Sequence, residues 1–176
     1  MSWLICIGGG IASGKTTLAK ALKEALPDSV RLAFGDVVRL RALAEGREPT
    51  RQNLQDAGLR LIAEGWPAFV NDLLRHFKND PEVLIVEGIR HREAVDVLHE
   101  RLPMRQLLLV YLEIGGDQRR KRLAQIGEAE RILNHEVERA VSALRTTADL
   151  VLSTDQSTDE LVRLVHQLVE ERNRQP

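Results

Sequence analysis

The chain has little of what disulfide-linked, exported or membrane-spanning proteins need. Cys6 is the one cysteine among 176 residues, so no intrachain disulfide can form, and we expect a reducing, cytoplasmic setting. Residues 83–86 and 107–112 are apolar runs, but both are far too short to cross a bilayer. Residues 1–10 lack a basic segment and a long apolar stretch, so we expect no export signal and no membrane partner.

The charge balance excludes a nucleic-acid partner, and the histidine spacing excludes a zinc site. The 25 lysines and arginines are balanced by 26 acidic residues, so the formal net charge of -1 provides no basic field for a nucleic acid. The histidines show no metal-ligand spacing, and with one cysteine we expect no zinc site. His135, which is followed by Glu136 and Glu138, is the histidine with a candidate role.

The length fits a single domain, residues 1–176, without repeats or linkers.

The first twenty residues contain the most specific pattern in the chain. An apolar stretch, Trp3–Ile7, leads into a GxxxxGK[ST] sequence and then into a helical pattern, as in a phosphate-binding loop. The glycines let successive backbone N–H groups converge on an anion at a helix N-terminus. Lys15 can reach the β- and γ-phosphates, and the Thr16 hydroxyl is the predicted Mg2+ ligand. The predicted ATP-binding residues are Gly9, Gly10, Ile11, Ala12, Ser13, Gly14, Lys15, Thr16 and Thr17.

Four later segments have the length and apolar character of buried strands. Helical patterns alternate with them, and this alternation predicts a parallel sheet covered by helices on both faces. The predicted strands are 30–34, 83–86, 106–112 and 149–152, in addition to the first at 3–7. The predicted helices are 15–25, 92–101, 117–125, 130–146 and 158–172, of which the last begins with a capping-box pattern at Ser157 and Glu160.

The segment between the second and third strands is unusually long and has helical patterns only. They are interrupted near residues 46–49, 65–67 and 79–81. We predict that residues 37–80 form a helical acceptor-binding region. Trp66 begins a helix there, where it either packs against the region's own core or stacks on an acceptor base.

Two predicted strands end at acidic residues. Asp36 follows the second strand and Glu87 follows the third, and ligands of an open parallel sheet bind at the carboxyl ends of its strands. Carboxylates there can ligate Mg2+ or orient water around it, although Asp36 can equally cap a helix and Glu87 can equally be a turn residue. Arg39 and Arg90 lie three residues beyond the two acids, which favours a site for a second phosphate, that of an acceptor.

Four cations, Arg119-Arg120-Lys121-Arg122, open the helix after the fourth strand. Cations at this end oppose the helix dipole, so they indicate either an anion nearby or simply a solvated face. Arg119 and Arg122 are the candidates for stabilising charge on the transferred phosphoryl group, and Arg131 is a further candidate. Residues 115–145 form the predicted lid-like helical region.

These motifs, in order and spacing, resemble the landmarks of P-loop nucleoside and nucleotide kinases of the adenylate-kinase-like superfamily. Residues 35–39 resemble the acceptor-phosphate segment of adenylate kinases. Residues 51–58, Trp66 and residues 87–94 resemble deoxynucleoside monophosphate kinases and kinase-like ATPases related to dephospho-coenzyme A kinase. Glu87 departs from the family pattern, in which an aspartate is more usual.

The resemblance implies a three-layer α/β/α P-loop NTPase fold with a five-stranded parallel sheet in the order 2-3-1-4-5. It implies that Lys15 and the loop amides hold ATP, and that Thr16 ligates Mg2+. Asp36 is implied near the acceptor hydroxyl or phosphate, with Arg39 and Arg90 as the acceptor clamp. The predicted acceptor-binding residues are Asp36, Arg39, Arg90 and Glu87. Arg119 or Arg122 is implied as the lid arginine.

The predicted function is transfer of the γ-phosphoryl group of ATP to a nucleotide-like acceptor, with a (deoxy)nucleoside monophosphate favoured. A dephospho-coenzyme A kinase-like enzyme is the alternative within enzymes. An ATP-binding switch or regulatory ATPase is the alternative from another class. Because phosphoryl transfer needs positioning and charge stabilisation more than covalent help, the predicted catalytic residues are charged: Lys15, Asp36, Arg119 and Arg122.

Overall fold

The computed structural model of the protein describes residues 2–75, 77, 80–125 and 135–174. Its strands are β1 (Trp3–Gly9), β2 (Ser29–Ala33), β3 (Val83–Ile89), β4 (Gln106–Glu113) and β5 (Leu150–Ser153). Its helices are α1 (Lys15–Ala25), α2 (Phe34–Ala44), α3 (Arg51–Glu64), α4 (Trp66–Leu74), α5 (Arg92–Arg101), α6 (Gly116–Gln125), α7 (His135–Thr147) and α8 (Thr158–Asn173).

The strands form one parallel sheet in the order β2-β3-β1-β4-β5, which confirms the predicted fold. β1 lies at its centre, between β3 and β4, and all seven of its residues are buried. A central strand of this kind has helices on both faces, and its side chains are therefore apolar without alternation. The phosphate-loop sequence consequently begins at the middle of the carboxyl edge of the sheet.

Two apolar layers cover the sheet. On one face, α1 and α8 pack against Ile5, Ile7 and the same-facing residues of β3 and β4. On the other face, Leu4 and Cys6 contact a layer to which α2, α3, α4, α5 and α7 contribute. Burial raises the pKa of the Cys6 thiol, which lies in this core as a small apolar group.

The strands end at the carboxyl edge one to three residues away from their predicted ends, and the differences in β2 and β3 affect the site. β2 ends at Ala33, one residue before the predicted Phe34, because Phe34 begins α2 and packs its ring against Phe69 at 4.9 Å. β3 continues to Ile89, and Glu87 pairs in register with Ile7 of β1 and Ala33 of β2. The polar Glu87 is therefore a strand residue, not the turn residue that the sequence also allowed.

The described helices otherwise follow the predicted pattern. α2, α3 and α4 occupy the long crossover, and Trp66 begins α4 as predicted. The Ser157 hydroxyl accepts a hydrogen bond from the Glu160 backbone N–H, as the capping-box pattern requires. The first residues of the predicted helix 130–146, and with them Arg131, lie outside the described residues. Within the described part of the chain, the helices are too short or too polar to cross a membrane.

Candidate functional site

The turn from β1 into α1 has the backbone geometry that the loop sequence requires. Gly9 has φ +142, and a Cβ there would lie 2.6 Å from the Leu112 carbonyl oxygen and 2.8 Å from Ser13 Oγ. No side chain fits such a space, so glycine is required. Gly14 is left-handed, with φ 85, and α1 begins at the next residue. The helix N-terminus thus opens directly onto the loop, where an anion is favoured.

Lys15 lies over this loop. Its Nζ donates a hydrogen bond of 2.6 Å to the Gly10 carbonyl and one of 3.4 Å to Ser13 Oγ. Ser13 is fully buried, whereas Thr16 and Thr17 are exposed at the mouth of the loop. The loop residues predicted from the sequence therefore lie together at the N-terminus of α1, and Lys15 hydrogen-bonds across the loop.

Thr16 connects the loop to the neighbouring strands. Its hydroxyl donates a 2.6 Å hydrogen bond to Glu87 Oε2. The other carboxylate oxygen, Oε1, accepts from Arg31 Nε at 2.7 Å and lies 2.6 Å from Arg31 Nη2. The Glu87 side chain is only 4% exposed. A buried carboxylate is tolerated when both oxygens are paired in this way.

The strand register explains why these side chains meet. Arg31 pairs with Ile85, and Glu87 stands two residues beyond Ile85 on the same face of the sheet. Ile85 packs against the α1 layer, so Arg31 and Glu87 both face the helix that carries Thr16. Sequence reasoning missed Arg31. The signal that could have identified it is a lone charge between the apolar residues Val30 and Leu32 of a strand.

Asp36, Arg39 and Arg90 lie at the same carboxyl edge but are exposed. Asp36 is in the first turn of α2, its side chain is 67% exposed, and its Oδ2 lies 4.0 Å from Arg31 Nη1. Arg31 therefore stands between the two acids that the sequence singled out. Arg39 follows on α2, and Arg90 is the first residue after β3; both side chains reach solvent.

Two of the four clustered cations of α6 lie against the phosphate loop. Arg122 Nη1 donates a 3.0 Å hydrogen bond to the Ala12 carbonyl. A Cβ on Gly10 would lie 3.9 Å from Arg119 Cζ. Arg120 instead pairs with Asp117 on the exposed side of the helix. Residues 119 and 122 are one helical turn apart and so face the same way. The predicted candidate Arg131 and the side chain of His135 lie outside what the structure describes.

Aromatic side chains line the start of α4 next to β3. Trp66 stacks on Phe69, with ring centroids 5.7 Å apart and planes 8° apart, and meets Phe34 edge-on. The His91 ring lies 5.1 Å from Trp66, and partial burial lowers the pKa of His91 below its usual value. Trp66 is half-buried, so the predicted packing role is present and part of its surface still faces outward.

The oxygen donors at the loop suit Mg2+. The Thr16 hydroxyl and Glu87 Oε2 are hard oxygen ligands 2.6 Å apart. Among the described residues there is no group of three or more His, Cys, Asp or Glu side chains that could hold a metal without other ligands. Mg2+ is commonly bound through one or two protein oxygens plus water and substrate phosphates, so the two residues fit an ion that arrives with a nucleotide.

Comparison with known proteins places this geometry in a family. The model of the family AAA_18, described as an AAA domain, matches residues 5–141. A UPF0200 protein of Thermococcus kodakarensis is 25% identical, over 96% of this chain and 97% of that protein. Among solved structures, a tunicamycin resistance protein of Deinococcus radiodurans has a TM-score of 0.68 at 22% identity, covering 96% of each chain. Shikimate kinase of Aquifex aeolicus has a TM-score of 0.66 at 18% identity, covering 98% of this chain and 99% of its own. At these identities the two structures show that the chain has a P-loop kinase-like fold.

Proposed function

The chain belongs to the AAA domain family AAA_18 and has a P-loop kinase-like fold, and we propose that it is a phosphotransferase that moves the γ-phosphoryl group of ATP to a nucleotide-like small molecule. The observation that carries this proposal is the chain of contacts from Thr16 through Glu87 to Arg31. It joins the phosphate loop to the edge where Asp36 and two exposed arginines lie. A donor site and a second anion site thus adjoin each other.

The donor half is the loop together with Lys15, Thr16 and Glu87. Glu87 is assigned here, and not to the acceptor site as the sequence suggested, because its Oε2 accepts from the Thr16 hydroxyl. The loop amides and the N-terminus of α1 bind the phosphates, and Lys15 Nζ exchanges the Gly10 carbonyl for phosphate oxygens. Thr16 and Glu87 would hold Mg2+, which would supply positive charge to the nucleotide phosphates. Arg119 and Arg122 supply positive charge over the loop, where it stabilises the transferred group.

The acceptor half is the opposing surface formed by α2, α4 and the end of β3. Arg39 and Arg90 are exposed guanidiniums suited to bidentate binding of an acceptor phosphate. Asp36 is the carboxylate available to an acceptor hydroxyl or phosphate. The half-buried Trp66 offers a flat apolar surface of the kind that a nucleobase contacts. Together these groups favour a (deoxy)nucleoside monophosphate over an acceptor that carries no phosphate.

The proposal is tested by measuring ADP release from MgATP with a panel of acceptors. The panel contains nucleoside and deoxynucleoside monophosphates, dephospho-coenzyme A as the alternative acceptor, and shikimate as an acceptor without phosphate. We expect at least one monophosphate to raise ADP release well above the rate with water alone and to appear as a phosphorylated product. If no acceptor does so while ATP is still hydrolysed, the chain is an ATP-dependent switch or regulatory ATPase.

A matched pair of variants keeps this experiment specific. Lys20 lies on the exposed face of α1, five residues beyond Lys15. Lys20→Ala should leave the stimulated rate unchanged, whereas Lys15→Ala should remove it. A stimulated rate that survives Lys15→Ala in the purified protein would overturn the assignment of the loop.

A further inference from the structure

We propose that Arg31 is a positioning residue of the phosphate-loop site. Arg31 holds the Glu87 carboxylate so that its Oε2 faces the Thr16 hydroxyl. It thereby determines by how much Mg2+ increases the affinity of the protein for a nucleotide. The inference rests on the proposed function, because it concerns how the donor half of that site binds a magnesium-bearing nucleotide. Arg31 itself would not touch the nucleotide.

The contacts divide the two oxygens of Glu87 between two partners. Arg31 Nε and Nη2 both lie against Oε1, at 2.7 and 2.6 Å. Oε1 is therefore held by two N–H groups of one rigid, planar guanidinium, and the carboxylate cannot turn without breaking both contacts. Oε2 is consequently directed at the Thr16 hydroxyl, 2.6 Å away. The position of a predicted magnesium-site oxygen thus depends on a residue outside the loop.

Burial makes this dependence strong. The Glu87 side chain is 4% exposed and the Arg31 side chain 21% exposed, so little water is available to replace the guanidinium. A lysine at residue 31 would supply a point charge without the paired, planar N–H groups. An uncharged residue would leave a buried carboxylate with one of its oxygens unpaired, which favours its rotation or protonation.

Stability alone does not explain a charge pair at this position. Apolar pairs join the same two strands at Leu32 with Val86 and at Val30 with Leu84. A buried ion pair is often no more stabilising than apolar residues of similar volume. Arg31 also lies on the edge strand β2, where its Nη1 faces Asp36 Oδ2 at 4.0 Å. The Arg31 guanidinium thus lies between Glu87, next to the loop, and Asp36, at the predicted acceptor side.

The test is calorimetric titration of ADP into the 176-residue chain, with Mg2+ and with EDTA. Wild type should bind ADP more tightly with Mg2+. In Arg31→Met, the increase in ADP affinity that Mg2+ causes should be about tenfold smaller than in wild type, as is typical when the partner of a metal-site residue is removed. Its affinity for ADP in EDTA should stay close to wild type, because the loop amides and Lys15 are untouched. A full magnesium gain in Arg31→Met would overturn the inference.

Two controls separate positioning from general damage. Arg172 pairs with Asp149 at 2.8 Å and donates to the Leu107 carbonyl, away from the loop, so Arg172→Met should leave the magnesium gain intact. In a Glu87→Gln background, Arg31→Met should cause little further loss, since Arg31 is proposed to act through Glu87. Independent, multiplicative losses in the double variant would contradict that route.

The outcomes for this inference and for the proposed function remain distinguishable. If wild type binds ADP equally well with and without Mg2+, the donor half of the proposed function fails, and the inference fails with it. If wild type shows the gain and the Arg31 variants keep it, the inference alone fails. Should Arg31→Met not fold, Arg31→Lys provides the same measurement, with a smaller loss of about threefold expected at a site that still carries the charge.

Discussion

Two arginine–carboxylate pairs stand at opposite edges of the sheet, and they are built in opposite ways. At the carboxyl edge, Glu87 is the buried partner, and Arg31 is partly exposed. At the amino edge, Arg105 is 4% exposed, and its partner Asp80 is 90% exposed. The difference shows which charged group of each pair is buried, and therefore which one needs protein partners in place of water.

Arg105 is satisfied mainly by the backbone. Its Nη1 donates to the Trp3 carbonyl at 3.2 Å, and its Nη2 donates to the Pro81 carbonyl at 2.7 Å. Its guanidinium lies 5.5 Å from the centroid of the Phe77 ring. Arg105 therefore ties together the starts of β1, β3 and β4, a structural task. Glu87 instead directs an oxygen at the Thr16 hydroxyl of the phosphate loop. We propose that this oxygen serves in ligand binding.

The largest expected effect tests the carboxyl edge. In Lys15→Ala, phosphoryl transfer should fall about a hundredfold or more, because the charge that meets the phosphates is removed. The free energy of unfolding should change little, because Lys15 is only half-buried and its side chain hydrogen-bonds to the Gly10 carbonyl and Ser13 Oγ of its own loop. Steady-state kinetics and chemical denaturation measure the two quantities. If Lys15→Ala lost much of its stability but kept its transfer rate, the carboxyl edge would have the structural role that we assign to the amino edge.

The next effect tests the amino edge. Arg105→Met should lower the free energy of unfolding by about 2 kcal/mol, because two buried carbonyls lose their donors. Binding of ADP with Mg2+ should match wild type, since the loop lies at the other edge. Urea denaturation and calorimetric titration provide the measurements. An ADP affinity that falls together with stability would mean that the two edges are coupled.

The sequence predicted the sheet more completely than the site. Uninterrupted apolar runs identify strands that are buried on both faces, and the loop motif places the end of β1 at the predicted phosphate-binding loop. The lone charge between Val30 and Leu32 marks Arg31, but its partner cannot be read from the sequence, because the register between β2 and β3 brings Glu87 to its side. Glu87 was assigned to the carboxyl edge correctly, but its burial depends on strand pairing that no local pattern encodes.

The α6 cations illustrate the same limit. Helical spacing shows that Arg119 and Arg122 share a face, but not which face meets the loop. The contact of Arg122 with the Ala12 carbonyl provides that information. Pairing of Arg120 with Asp117 accounts for a third member of the charge run as a surface residue.

A smaller effect tests whether the carboxyl edge has two separable halves. Arg39→Ala should raise the acceptor KM about tenfold, as expected for the loss of one charge-assisted hydrogen bond, with the KM for ATP little changed. Arg163 is an exposed arginine on α8, which covers the opposite face of the sheet from α2, so Arg163→Ala is the matched control. Equal losses for both substrates, or no loss, would contradict a role of Arg39 in acceptor binding.

The smallest expected effect isolates the exposed partner at the amino edge. Asp80→Asn should cost less than about 1 kcal/mol of unfolding free energy, because an exposed carboxylate loses little when its ion pair is removed. The Arg105 guanidinium keeps its two carbonyls and its ring contact in this variant. The cost should shrink further in high salt, which screens exposed pairs. A cost as large as that of Arg105→Met would mean that the ion pair, and not the backbone contacts, determines the role of Arg105, and the contrast with Glu87 would then fail.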